Sequence, residues 1–222
     1  MWGEMKAMVV TEKPRDADYV PGETALLLVD LQRIWLEPGL DPFHPELGPD
    51  HYYYREVATR LAPNVERLLA AARSHGVEVV HTIIRSLTED GRDRSLDHKL
   101  TPIHIPPSLA AGRPPDNLAP IGDEILLPKT SSGVFNSTNI DYVLRNLGIH
   151  HLVIAGVMTD QCVDMAVRDA ADRGYRVTCV ADACAAPTPE RHANALTAFR
   201  GYCWIADAEA VVRRFNALGK PQ

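Results

Sequence analysis

The chain has 222 residues, 45% of them hydrophobic and 23% charged, enough for one α/β domain whose core needs no disulfide or metal to hold it. Its formal charge of -6 speaks against nucleic acid or an anionic membrane as partner, because both select basic surfaces. No apolar run reaches the ~18 residues of a membrane span and the first residues lack a secretory profile. A cytoplasmic location is expected, with the four cysteines reduced, since none has a CxxC spacing.

Residues 1–23 are polar and broken by proline, and read as an arm ahead of a single domain over 24–222. TALLLVD (24–30) is a continuous apolar run, as in a parallel strand buried on both faces. EVATRLAPNVERLLAAARSHG sets Val57, Leu61, Val65, Leu68 and Leu69 at helical spacing and stops at Gly76. Pro63 lies inside that pattern, so the regular helix either starts near it or kinks there. VEVVHTIIRS is the second strand. Residues 87–122, rich in Pro, Asp, Arg and His, keep no period and are too long for a plain connection, which suggests a lid or an oligomer contact.

EILLPK is a third strand, and STNIDYVLRNLG a helix capped by Ser137 or Thr138 and ended by Gly148. HLVIAGV is a fourth strand. TDQCVDMAVRDAADRG is a helix with Thr159 as its expected N-cap. YRVTCVAD, a helix over TPERHANALTAFRG, YCWIAD and a last helix over AEAVVRRFNAL complete the chain. This alternation predicts a three-layer αβα doubly wound domain with about six mainly parallel strands.

In such sheets the ligand sits beyond the carboxyl ends of the strands. Asp30 ends the first strand, Lys129 the third, and Cys162 follows the fourth, so all three fall on that edge. A cysteine in a first helical turn faces unpaired amides that favour thiolate, and a lysine nearby adds to the effect. An aspartate can take the thiol proton, and amides of the same turn can hold an oxyanion. Each residue also has a plainer reading, as core thiol, cap or solvated lysine. The strand order that would bring Lys129 to Cys162 is not written in the sequence. The nine histidines are scattered and there is no HExxH, phosphate loop or dinucleotide fingerprint, so neither metal nor cofactor is expected.

Three blocks in order, LLLVDLQRIW, LPKTSSGVFNST and VIAGVMTDQCVDMAVRDAADRGYRVTCVADACAA, resemble the signatures of the isochorismatase-like cysteine hydrolases. That group includes nicotinamidases, N-carbamoylsarcosine amidohydrolases, ureidoacrylate hydrolases, and biuret and triuret hydrolases. The resemblance covers residues 24–215. It implies Asp30, Lys129 and Cys162 as the catalytic set, a cis peptide between Val157 and Met158, and an oxyanion hole from the amides of Met158 and Cys162. It further implies hydrolysis of a C–N bond in a small linear ureide of triuret or biuret type, with release of ammonia, in a homo-oligomer (dimer or tetramer). The alternatives are a ureidoacrylate or N-carbamoyl amino acid amidohydrolase, an isochorismatase-type vinyl-ether hydrolase, and a binding protein with a silent site.

Two departures stand out. The Asp-x-His metal cluster of the nicotinamidase branch has no counterpart, DPFH being the nearest fragment, without the spacing. Ser132 stands where the block after the lysine commonly has an aromatic residue, leaving polar room beside Lys129. Gln32, Trp35, Phe135 and Asn136 flank the catalytic residues in sequence and are the expected pocket. Gln32 and Asn136 both donate and accept, which suits alternating N–H and C=O groups. Arg85, Arg92 and Arg94 would instead favour a substrate carboxylate. Cys162 is expected to have a low pKa and to alkylate well below pH ~8.

Overall fold

The computed structural model describes residues 14–44 and 47–219; the first part of the expected arm, residues 1–13, lies outside them. Among the described residues, β1 (Thr24–Val29), β2 (Glu78–Ile84), β3 (Ile125–Lys129), β4 (His151–Val157), β5 (Arg176–Ala185) and β6 (Trp204–Ala206) form one sheet. Its order is β3-β2-β1-β4-β5-β6 and every neighbouring pair is parallel.

Hydrophobicity explains who sits where. Every residue of β1 and β4 is buried, so the two most uniformly apolar runs take the centre. β3 contains Pro128, which has no N–H to offer a second neighbour, and it lies at an edge. The chain runs outward from β1 to β2 and β3, then returns to β4 beside β1 and runs outward the other way. The order therefore reverses between β1 and β4, where a doubly wound sheet opens its ligand crevice. Gly156 pairs with Val29 at this point. Its φ is +137°, and a Cβ there would stand 2.1 Å from the Val29 carbonyl oxygen, so only glycine lets the two strands close.

The helices are α1 (Arg33–Leu36), α2 (Tyr52–Glu56), α3 (Ala62–Ser74), α4 (Leu96–Leu100), α5 (Val134–Ser137), α6 (Ile140–Asn146), α7 (Asp164–Asp172), α8 (Pro189–Phe199) and α9 (Ala208–Asn216). A π-helical turn over Val57–Leu61 joins α2 to α3 without leaving helical backbone, and Pro63 falls just past it. The proline therefore sits at an irregularity within one continuous helical run, not at the start of a separate helix. α3 buries Val65, Leu68 and Leu69 and packs with α9 on one face of the sheet, while α7 packs with α5 and α8 on the other.

Two local expectations change. A second π-helical turn, Thr159–Val163, precedes α7, and Thr159 does not cap it: its Oγ1 pairs with His192 Nδ1 at 2.9 Å. Residues 87–122 are not a bare loop. They hold α4 and two 3₁₀ turns, Ala110–Gly112 and Asp116–Leu118. Backbone bonds sew them to the sheet edge, from Ser86 N to Ile105 O (2.9 Å), Ser95 N to Thr130 O (2.9 Å) and Arg33 N to Arg113 O (2.9 Å). All four cysteines are free and buried. Among the described residues, no helix is long and apolar enough to cross a membrane.

Candidate active site

Asp30 leaves β1 with a φ of 54°, left-handed backbone that Asp tolerates better than most residues at about 1–2 kcal/mol. Its amide donates to Thr82 O (3.0 Å) and its carbonyl accepts from Gln32 N (2.8 Å), fixing that turn. Lys129 is the last residue of β3, and its long side chain passes the end of β2 to reach the crevice. There Lys129 Nζ stands 2.8 Å from Asp30 Oδ2 and 3.4 Å from Cys162 Sγ. The ammonium also donates to Ser131 O and Ser132 O, at 3.0 Å each. Thr82 Oγ1 reaches Asp30 Oδ1 at 3.4 Å. The strand order that the sequence concealed brings Asp30, Lys129 and Cys162 into one contact.

All three are buried, and their protonation follows from that. Burial raises the pKa of Asp30 against the opposing pull of Lys129. Burial also works against the charge on Lys129, but the attraction of Asp30 and Cys162 outweighs it, and its pKa is raised. Burial pushes the Cys162 thiol up to about 12, opposed by Lys129 and assisted by the Asp30 charge. The resting site is a neutral thiol beside a carboxylate–ammonium pair. This corrects the expectation of a low-pKa thiolate: desolvation and a neighbouring anion outweigh the helix terminus and the lysine.

The peptide between Val157 and Met158 is cis. Asp30, Trp35, His44, Ser132, Met158 and Cys162 are among the residues lining a cavity of about 30 Å³, with Ile84, Ile103, Val157 and Gln161. Trp35 is where the sequence reading put it, its Nε1 donating to Gln32 Oε1 (3.1 Å) and its ring tilted against Phe43.

Three expected pocket residues lie elsewhere. Gln32 is fully buried; its Nε2 donates to Ile84 O (2.9 Å) and Gly112 O (2.8 Å), and its Oε1 accepts from Ile84 N (2.8 Å) as well as Trp35. With both ends of its amide occupied it braces β2, α1 and the 87–122 segment, and has nothing left for a substrate. Phe135 packs against Tyr175 under Arg173, away from the cavity. Asn136 is exposed and accepts from Ser131 Oγ (3.1 Å), supporting the loop from outside. None of the three arginines lines the cavity. Arg92 is exposed against Asp90, and Arg94 donates to Gly91 O (3.0 Å) and Ile103 O (2.7 Å) within the 87–122 segment.

His44 was missed. Its Nδ1 lies 2.7 Å from Oδ2 of buried Asp41, which also accepts from Phe43 N (2.8 Å). The DPFH fragment was the available signal, but only the fold brings it to the cavity wall. Among the described residues no three His, Cys, Asp or Glu side chains are grouped to hold a metal.

The isochorismatase domain matches residues 24–210. A probable inactive nicotinamidase of Arabidopsis thaliana is 32% identical over 177 residues, 76% of this chain and 84% of that protein. A ureidoacrylate amidohydrolase of Pseudomonas savastanoi pv. phaseolicola is 30% identical over 239 residues, 97% of this chain and 93% of that protein. The crystal structure of a cysteine hydrolase from Pseudomonas syringae pv. phaseolicola 1448A shares the fold, with a TM-score of 0.80 over 94% of this chain and 100% of that one at 22% identity. The chain belongs to the isochorismatase family and has the fold of its hydrolases.

Proposed function

We propose that this protein is a cysteine-dependent amidohydrolase that cleaves a C–N bond of a small, uncharged linear ureide of the biuret or triuret kind. The observation that carries the reading is the Asp30, Lys129 and Cys162 contact, a base, a cation and a nucleophile within 3.4 Å of the shared ammonium. Among the described residues no arginine lines the cavity, which supports a neutral substrate over a carboxylate. A carboxylate-bearing ureide is the second reading, favoured by the likeness to a ureidoacrylate amidohydrolase.

The chemistry follows from the resting charges. As Sγ of Cys162 bonds to the carbonyl carbon, its proton passes to the Asp30 carboxylate, and the carbonyl π electrons move to oxygen. The site's own charge is the same before and after that transfer, since thiol plus carboxylate becomes thiolate plus acid; Lys129 stays cationic beside both. The backbone amides of Met158 and Cys162 receive the oxyanion. On collapse the C–N bond breaks and Asp30 returns the proton to the leaving nitrogen. Water then adds to the thioester-like intermediate, giving its proton to Asp30. The C–S bond breaks, the acid departs, and Asp30 restores the thiol. The pKa of Asp30, already raised by burial, suits a group that must hold the proton between steps.

The test is ammonia release from biuret, triuret, a ureidoacrylate-like acid, an N-carbamoyl amino acid and nicotinamide, each beside Cys162→Ala. Turnover of a neutral ureide that vanishes in the variant is the expected result. Turnover that survives Cys162→Ala removes the nucleophile, and exclusive use of the acidic ureides moves the assignment to the second reading.

A further inference from the structure

Behind the cavity wall, α4 carries a histidine that the mechanism does not use. His98 is 1% exposed, its Nε2 lies 3.3 Å from Ser132 Oγ, and its Nδ1 is buried without a hydrogen-bond partner. The ring is held in place from its backbone: His98 N donates to Ser95 Oγ (3.1 Å), and Ser95 N to Thr130 O (2.9 Å), next to Lys129. Burial, reinforced by the Lys129 charge, lowers its pKa to about 4, so the imidazole is neutral and carries one proton.

That proton has two possible seats. On Nδ1 it would be a buried donor with no acceptor. On Nε2 it faces a hydroxyl oxygen, and Nδ1 keeps only a bare lone pair, which is the better-satisfied arrangement. With His98 donating to Ser132 Oγ, the serine hydrogen turns away from the ring. Ser132 lines the cavity together with Cys162, and its carbonyl accepts from Lys129, so the residue is fixed at both ends. The hydroxyl then presents a donor on a wall shared with apolar Ile84, Ile103 and Trp35 and with the polar side chains of His44 and Gln161.

We infer that His98 and Ser132 form a specificity pair in which His98 orients the Ser132 hydroxyl to donate to a second acceptor on the substrate, a carbonyl oxygen beyond the scissile C–N bond. The pair selects N-acylureas and related imides over simple ureas. Ser132 touches the substrate; His98 is a positioning residue that acts through it. This deepens the proposed ureide hydrolase reading and rests on it.

The test compares biuret, which has the second carbonyl, with N-ethylurea, which lacks it, for the native enzyme and for Ser132→Ala, His98→Leu and His98→Gln. Ser132→Ala should reduce kcat/KM for biuret about tenfold relative to N-ethylurea, the loss of one substrate hydrogen bond. His98→Leu should do the same and add nothing in the Ser132→Ala background. His98→Gln, whose side-chain amide restores a donor near the Nε2 position, should recover the preference. A purely structural histidine would lower both substrates alike. An unchanged ratio in Ser132→Ala, or His98→Gln as damaging as His98→Leu, overturns the pair. Biuret binding to the Cys162→Ala protein, read by calorimetry with and without Ser132→Ala, separates the two levels. Binding weakened by Ser132→Ala without any turnover in the native enzyme supports the pair and sinks the hydrolase reading. Biuret that does not bind at all overturns both.

Discussion

Lys129→Met removes the ammonium while keeping most of the side-chain volume, so its effect is electrostatic and not a cavity. In the native protein the cation sits 2.8 Å from Asp30 Oδ2 with its side chain 0% exposed. Breaking one partner of a buried pair costs about 3–5 kcal/mol, because the remaining charge has no water to turn to. Asp30 has an escape, which is to take up a proton. From the ordinary aspartate value of 3.8 to pH 7 is a little over three pH units, so protonation caps its share at about 4 kcal/mol, at ~1.4 kcal/mol per unit. The sign follows directly. The native pKa of Asp30 is already raised, so its ionisation opposes folding as pH rises from 3.8 to the folded value and adds no further slope above it. The variant raises that folded value further and extends the window upward. Its stability deficit against the native protein should therefore grow with pH, by up to ~1.4 kcal/mol per unit, between the two folded values. Urea unfolding at pH 5, 6, 7 and 8 and fixed protein concentration measures this. A deficit under ~1 kcal/mol, or one independent of pH, would refute the view that Asp30 is ionised and held so by Lys129.

The thiol gives a second test: with its pKa pushed up to about 12 by burial, Cys162 should show little iodoacetamide labelling at neutral pH, read peptide by peptide in a mass spectrometer. Asp30→Asn removes the anion and leaves Lys129, so labelling should shift to lower pH; half-labelling near pH 7 in the native protein would contradict the assignment. Gly156→Ala puts a Cβ 2.1 Å from Val29 O and should destabilise by about 3 kcal/mol or more, or prevent soluble expression. Gly148→Ala, at φ +72° with open space around it, should lose only about 1 kcal/mol when the two variants are compared by thermal unfolding. Gln32→Ala strands buried backbone groups of Ile84 and Gly112 and should lose roughly 2–4 kcal/mol. If it instead kept its Tm and changed only substrate preference, the brace assignment would be wrong.

What was readable in the sequence divides along a physical line. Short apolar-rich runs alternating with helical periods marked the six strands, and the trace is plainest in β1 and β4, which are buried throughout. Strand order leaves none. That Lys129 meets Cys162 depends on β3 lying outside β2 and β4 lying against β1, a fact of crossovers and not of local pattern. Nearness in sequence misled at Gln32, because its amide is taken up by backbone groups of Ile84 and Gly112, which come from distant parts of the chain. The thiol was misjudged for a related reason: a helix terminus can be read from sequence, but the depth of burial that overrides it cannot.

The position of β3 has a wider meaning. Among the described strands it pairs only with β2, four of its five residues are only half-buried, and Pro128 withholds a donor just before Lys129. The ammonium of the proposed catalytic set is thus mounted on an edge strand and not on the buried centre of the sheet. Its opening would strand the lysine in water while the centre of the protein stayed folded. On the proposed chemistry, opening of that edge would cost the lysine its place before it cost the protein its core, and the segment from α4 onward, bonded to Thr130 through Ser95, lies against it.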